Sequence, residues 1–364
     1  RVALSAARSM APPTIPPDLA PAAVPLMTSA DSFPAISAPP AVAYGWHPRE
    51  YRYLLGGAIG PEGDYITLLI GSSDPVGRLA WAAQGSIGDP GTWRGGSLAA
   101  AWRGFPVVID GSLFAVSQFP SRQSAGTFAG DSLDANYAGL TASAGATRYT
   151  SWLVNSVRLG GSAGGLSLAS GPSRLRDLAF ASYSGTGDFS TGKLLLRATL
   201  AALGTIGQTE GTGWRRLKAQ GSVVAGYSDV VLRYSIAYDQ VSNGAPQFEV
   251  PVAGGSEPPL TDRALLAQRV SVPTLPIGVV SGTQLTDQRL EYGMQSAVLF
   301  YERLATPLEH GAVHDLYGGE FRAGSPPVPF LAVPAVGFST GVGYSISDPY
   351  KYKLRAFLAI RYSP

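Results

Sequence analysis

From about Pro48 to the end of the chain, short segments alternate apolar and polar residues at period two, broken by Gly, Pro, Asp and Ser. That is strand patterning, because successive side chains on a strand point to opposite faces. The last segment is the clearest. Leu354, Ala356, Leu358, Ile360 and Tyr362 fall on one face, and Lys353, Arg355, Phe357, Ala359 and Arg361 on the other. Leu232, Tyr234, Ile236 and Tyr238 likewise oppose Arg233, Ser235, Ala237 and Asp239. About sixteen such segments can be marked between Tyr51 and Tyr362, among them Arg263–Val272, Leu290–Tyr301 and Ala312–Phe321. Helical content is expected to be very small; Thr261 to Gln268 is the best helix candidate and is short.

Residues 1–47 break this texture. Pro12-Pro13, Pro16-Pro17 and Pro39-Pro40 sit among many alanines and few charges. Proline removes backbone donors and opposes both helix and central strand. The segment reads as an extended plug, linker or partner-binding stretch, and residues 48–364 as one β domain. It has neither an initiator Met nor a basic-then-apolar signal pattern, which reads as a processed or truncated start.

Charge decides the environment of each strand face. Only 14% of residues are Asp, Glu, Lys or Arg, against roughly 25% in an ordinary soluble domain. No run of about 18 apolar residues exists to form a spanning helix; the nearest stretch, Leu98 to Phe119, is broken by Arg103, Pro106 and Asp110. The other way across a bilayer is a closed barrel, which pairs every backbone polar group internally. The uncharged face of each strand then meets lipid and the charged face lines a polar lumen. A soluble barrel with the same pattern would bury Arg233, Asp239, Arg355 and Arg361 at high cost. Aromatic residues collect near the strand ends: Tyr51, Tyr53, Trp93, Trp102, Tyr227, Tyr238, Tyr344 and Tyr362. Tyr and Trp favour the lipid–water interface.

The fold expected is therefore all-β: a transmembrane, antiparallel, up-and-down β-barrel of about sixteen strands with an extended N-terminal segment. A soluble all-β binding module is the alternative. A membrane strand needs about 9–11 residues, and that length leaves room for alternating turns and loops.

The candidate lumen-lining charges are Arg158, Arg176, Arg197, Arg233, Asp239, Lys353, Arg355 and Arg361. Arginine outnumbers lysine 23 to 4, and guanidinium pairs with carboxylates in a fork that tolerates partial burial. Such a ladder serves either an anion-tuned pore or a structural network holding wall and plug.

Other chemistry is thin. Cysteine is absent, which removes disulfides and thiol-ligated metals. The formal net charge of +2 is spread along the chain, with no basic block for nucleic acid. Three histidines, His47, His310 and His314, do not make a metal site without further ligands. His314 beside Asp315 suggests a barrel hydrolase, but neighbours on a strand point to opposite faces. Gly130-Asp-Ser-Leu133 spells a lipase block without a base in reach. No catalytic residue, cofactor or metal is expected. The expected partners are membrane lipids and, through residues 1–47, other proteins.

The strand Lys351-Tyr-Lys-Leu-Arg-Ala-Phe-Leu-Ala-Ile-Arg-Tyr362 resembles the closing strand of bacterial outer-membrane barrels. Gly71-Ser-Ser-Asp-Pro-Val-Gly-Arg-Leu-Ala-Trp81 resembles an early hairpin of Omp85-type barrels, in particular those that follow a TolB-like propeller. His314-Asp-Leu-Tyr-Gly-Gly-Glu-Phe321 lies where that family has a late strand leading into a glycine turn. The resemblance covers roughly residues 48–364 and implies outer-membrane location, lipopolysaccharide and, through residues 1–47, other bacterial envelope proteins as partners, and a channel or scaffold role in a larger complex. The family also carries an Arg-Gly-aromatic tip on a long loop folded into the lumen. The matching position reads Leu275-Pro-Ile-Gly-Val-Val-Ser-Gly282, with the glycine but neither the arginine nor the aromatic residue.

Overall fold

The computed structural model describes residues 50–59, 65–73, 78–88, 93–104, 106–118, 134–168, 171–254, 269–270, 272, 274–275, 280–294, 296–306, 313–325, 335–347 and 354–363. Residues 1–47, Gly130–Leu133, His310 and Lys353 lie outside them, as does the side chain of Arg361.

The strands are β1 Glu50–Ile59, β2 Tyr65–Ser73, β3 Leu79–Gly88, β4 Trp93–Trp102, β5 Val108–Gln118 and β6 Ala135–Tyr149. Next come β7 Leu153–Leu168, β8 Arg174–Thr191, β9 Leu194–Thr209, β10 Thr212–Tyr227 and β11 Val230–Val241. Three short pieces come after them, β12 Val252–Ala253, β13 Arg269–Val270 and β14 Val280–Ser281. The chain ends with β15 Gln284–Met294, β16 Ala297–Ala305, β17 Val313–Ser325, β18 Ala335–Ser345 and β19 Leu354–Ser363. No α-helix occurs among the described residues.

Sixteen of these strands form one closed antiparallel barrel in which chain neighbours pair and β19 returns to β1. β11 pairs with β15, and the three short pieces form a separate small sheet. The count of sixteen agrees with the sequence, but not every assignment in it does; Thr147–Leu159 spans the turn between β6 and β7. The described residues of Arg263–Val272 supply no barrel strand; Arg269–Val270 pairs inside the small sheet. Leu290–Tyr301 is not one strand: the chain reverses between Met294 and Ala297, and β15 and β16 pair across that turn. Two residues suffice for such a hairpin, too short a break to interrupt the alternation. At Glu210–Gly211, between Thr209 and Thr212, both turn residues have positive φ, as the tightest hairpins require.

Burial divides each wall strand by parity. On β11, Leu232 and Ile236 are exposed on the outside, while Asp239 and Val241 are buried and Arg233 half-buried inside. On β10, Leu217, Val223 and Tyr227 are exposed, while Trp214, Arg216 and Val224 are buried. On β19, Leu354 is 69% exposed, and Phe357 is buried beside a half-buried Arg355. The outer face is therefore a continuous apolar surface around the cylinder. So large an apolar area exposed to water would be an aggregation liability; against hydrocarbon it is what a barrel wall requires. The outward Arg303 lies two residues from the end of β16, at the rim.

Candidate functional site

Between β11 and β15, the described residues of the connection 242–283 pack on the inner side of the wall. We call its described part the strap. It starts with a single 3-10 turn, Gln247–Glu249, in which Phe248 and Glu249 are buried. Phe248 joins an apolar cluster with Phe114 and Val116 of β5, Ala135 and Tyr137 of β6, and Leu166 of β7. Four residues later, Ala253 enters a second cluster. There Val270, Val272, Leu275 and Val280 of the strap pack on Leu285 of β15, Leu304 of β16 and Leu316 of β17. The small sheet ties the strap to itself through backbone bonds from Gly254 to Val270 and from Gly282 to Pro251. The Thr274 side chain rests on Gly343 of β18, where any Cβ would come within 2.6 Å of the Thr274 Cβ. Two sectors of the wall, β5–β10 and β15–β18, are thus bridged by one short piece of chain.

A buried ion pair fixes the first anchor. Arg176 of β8 donates from Nε and Nη2 to the Glu249 carboxylate at 2.6 and 3.0 Å. The two side chains are 2% and 0% exposed. Thr209 donates to the same carboxylate at 2.7 Å and accepts from Trp214 Nε1 at 2.9 Å. Arg176 Nη1 donates to the Tyr137 hydroxyl at 3.1 Å. The guanidinium carbon also lies 5.1, 5.2 and 5.7 Å from the ring centres of Tyr137, Phe248 and Trp214. Aromatic faces attract cations, most strongly out of water. Glu249 is therefore fully coordinated, and its pairing latches the strap to β8 and β9.

Lower in the lumen, the β11–β17 sector carries a charge network. Arg289 of β15 donates to Glu291 at 2.8 Å, Glu302 of β16 at 3.4 Å and Glu320 of β17 at 2.6 Å. Arg322 donates to Glu291 at 2.6 and 2.9 Å and to Glu320 at 2.9 Å, and Arg233 reaches Glu291 at 3.1 Å. Each carboxylate is held by cations from another strand, so the network cross-links four strands. A cavity of about 570 Å³ lies against the β4–β10 sector, with Ser97, Asp110, Arg158, Phe180, Leu203 and Gln220 in its lining.

The charges singled out from sequence are dispersed among these features. Arg176 forms the latch and Arg233 borders the network. Arg158 pairs with Asp110 and Ser143 at the cavity. Asp239 pairs with Arg216, both almost fully buried. Arg197 pairs with Asp188 at 2.5 Å near the tip of the β8–β9 hairpin, both half-exposed. Arg355 is half-buried on β19. Sequence reasoning missed Glu249, Arg216, Arg289, Glu291, Glu302, Glu320 and Arg322. Arg289-x-Glu291 and Glu320-x-Arg322 did carry a signal, since a spacing of two puts opposite charges on one strand face. Nothing local marks Glu249.

Of the aromatic residues, Tyr51, Tyr53, Trp102 and Tyr227 are exposed at strand ends, and Tyr238 and Tyr344 are half-buried. Trp93 and Tyr362 lie at strand ends, with side chains outside the described residues. His314 is buried on the inside, whereas Asp315 accepts a bond from Tyr301 on the other face. The wall itself separates the two, so they form no catalytic pair. Among the described residues no group of His, Asp and Glu could hold a metal.

The barrel closes weakly. Among the described residues, β1 and β19 pair only at Gly57 with Ile360, Ala58 with Ala359 and Ile59 with Leu358. Every other junction of the barrel carries at least eight such pairs.

The chain is similar in structure to BamA from Haemophilus ducreyi lacking POTRA domains 1–3, with a TM-score of 0.57 and 11% identity. That match covers 86% of this chain and 70% of the BamA chain. It is also similar to CdiB from Escherichia coli, with a TM-score of 0.52 and 11% identity over 85% of this chain. The fold is that of an Omp85-type outer-membrane β-barrel. The chain spans 63% of the CdiB chain, less than two thirds of its length. No protein-family model matches the sequence. No curated protein matches it.

Leu275 and Val280, from the stretch where the resembled family carries its arginine-tipped loop, are buried in the second apolar cluster. In the latch the acid is on the strap and the arginine on the wall.

Proposed function

We propose that the protein is a closed outer-membrane barrel that serves as an envelope scaffold, contacting other polypeptides along the β1–β19 seam, and is not an open diffusion pore. The observation that carries this reading is the strap, anchored to two sectors of the wall. The short seam supports the client-contact part. Unpaired backbone groups are costly in hydrocarbon, so strand edges paired over three residues favour another strand beside them. Residues 1–47 are proposed as a tether to an envelope partner, and no catalytic step is assigned.

Planar-bilayer recording tests the reading. The purified protein is expected to stay closed, and removal of the strap to create a large, steady conductance. A large, steady conductance from the intact protein refutes it. The cavity beside Arg158 and Asp110 favours the second reading, a channel, and that result would establish it.

A further inference from the structure

We infer that the cavity on the inner wall between β4 and β10 is a binding site for a small hydroxylated anion, a sugar phosphate or a sugar acid. The inference goes beyond the scaffold reading and does not depend on it. Strand register builds the site. Arg158 of β7, Ser182 of β8, Leu203 of β9 and Lys218 of β10 are direct cross-strand partners and form one rung across the wall. Ser156, Ser184, Ala201 and Gln220 form the next rung, two residues along the same strands. With strands about 4.8 Å apart and about 3.4 Å per residue, the two rungs cover roughly 14 by 7 Å. Phe180, two residues from Ser182 in the other direction, is buried and closes one end. The volume of about 570 Å³ is that of a small-molecule site.

The charges around the site do not cancel. Arg158 and Lys218 stand at the two ends of the first rung. Asp110 pairs with Arg158, and Asp239, opposite Lys218 on β11, accepts from Arg216 Nε at 2.7 Å. Two carboxylates thus face three cations, and one positive charge is in excess. Arg158 gives Nε to Ser143 and Nη2 to Asp110 and is still 45% exposed, and the further N–H groups of a guanidinium are donors for a ligand. Arg binds anionic oxygens through its fork and Lys as a point charge. The rest of the lining selects the body of the ligand. Serine hydroxyls and the Gln220 amide both give and accept hydrogen bonds, as sugar hydroxyls require, while Ala201, Leu203 and Phe180 suit the C–H faces of a sugar ring. An apolar guest would leave the hydroxyls unpaired. A neutral sugar would leave the excess charge without a partner, and inorganic phosphate would fill only part of the space.

Titration calorimetry on the full chain in detergent at low salt tests the site. Glucose 6-phosphate should bind roughly tenfold more tightly than glucose or inorganic phosphate. Lys218→Gln should weaken that binding roughly tenfold and leave the weak binding of glucose unchanged. Ala201→Leu, which fills the second rung and changes no charge, should abolish it. Heat-modifiable migration reports that both variants are folded. Glucuronate distinguishes the head groups: binding as tight as that of the phosphate assigns the site to hydroxylated anions of both kinds, and weaker binding assigns it to phosphates, each in support of the site. Glucose or inorganic phosphate binding as tightly as glucose 6-phosphate overturns the inference. So does an affinity unchanged in either folded variant, which puts the ligand elsewhere, and so does the absence of binding. None of these outcomes touches the scaffold reading, which conductance from the intact protein decides.

Discussion

Replacing Glu249 with alanine is the sharpest perturbation of this barrel. The substitution leaves the Arg176 guanidinium in a site where it is 2% exposed, with the Tyr137 hydroxyl and three aromatic faces but no counter-charge. Removing one partner of a buried pair costs about 3–5 kcal/mol, chiefly because the other charge stays buried and unpaired. Cation–π contacts of about 0.5–2 kcal/mol each already exist and do not grow to compensate. The strap is then expected to leave its seat so that water can reach Arg176. At about 1.4 kcal/mol per tenfold, the docked population should fall by a factor of roughly 100 to 3000. Trp214 reads this directly, since its indole donates to Thr209 beside the latch, and its emission should shift to the red as water enters. Arg197→Met is the control. Arg197 and Asp188 are each 50% exposed, and such pairs are worth about 0–1 kcal/mol. Arg176→Met with Glu249→Leu should return to within about 1 kcal/mol of wild type, because an apolar pair of similar volume needs no counter-charge. The measurement is guanidinium unfolding in lipid vesicles, followed by Trp emission. If Glu249→Ala and Arg197→Met cost the same, desolvation does not govern the latch and the reasoning fails.

Three further outcomes are expected. Ile236→Arg, on the outer face midway along β11, should cost about 2–4 kcal/mol in bilayers. Ala237→Arg, on the inner face opposite Asp287, should cost little, and equal costs in vesicle unfolding would contradict the assigned faces. Arg289→Met strands Glu302, since Glu291 and Glu320 keep Arg322, and should destabilise the barrel by about 3–5 kcal/mol, measured in the same way. Gly95→Val should block assembly, because Gly95 has a φ of +122° and any side chain there strikes the Ala115 carbonyl; heat-modifiable migration would reveal the loss of folded barrel.

The wall was legible because its period is local. Leu232, Tyr234 and Ile236 against Arg233 and Asp239 already state which side is greasy, and no tertiary contact overrides that choice. The strap was illegible for the opposite reason. Glu249 is one acid in a proline- and glycine-containing connection, and its meaning depends on Arg176, 73 residues earlier. The expectation of a wall strand at Arg263–Val272 has the same origin. Its described apolar residues Val270 and Val272 alternate like a wall segment, yet they face the apolar cluster against β15–β17. Alternation reports that one face is buried and says nothing of what buries it.

The weak and strong junctions of the cylinder bear on each other. A sixteen-strand wall held by eight or more pairs at each ordinary junction has little freedom to flex, since adjacent strands share backbone hydrogen bonds along most of their length. Among the described residues the three-pair seam is the exception. Arg289, Arg322 and Arg233 are engaged with Glu291, Glu302 and Glu320 on β11, β15, β16 and β17, so they stiffen the sector next to the strap's second anchor. The latch on β8 and β9, where loss of a partner would leave a charge buried, and the seam at β19, where few residues pair, are therefore the two places where a few kcal/mol weigh most on this barrel.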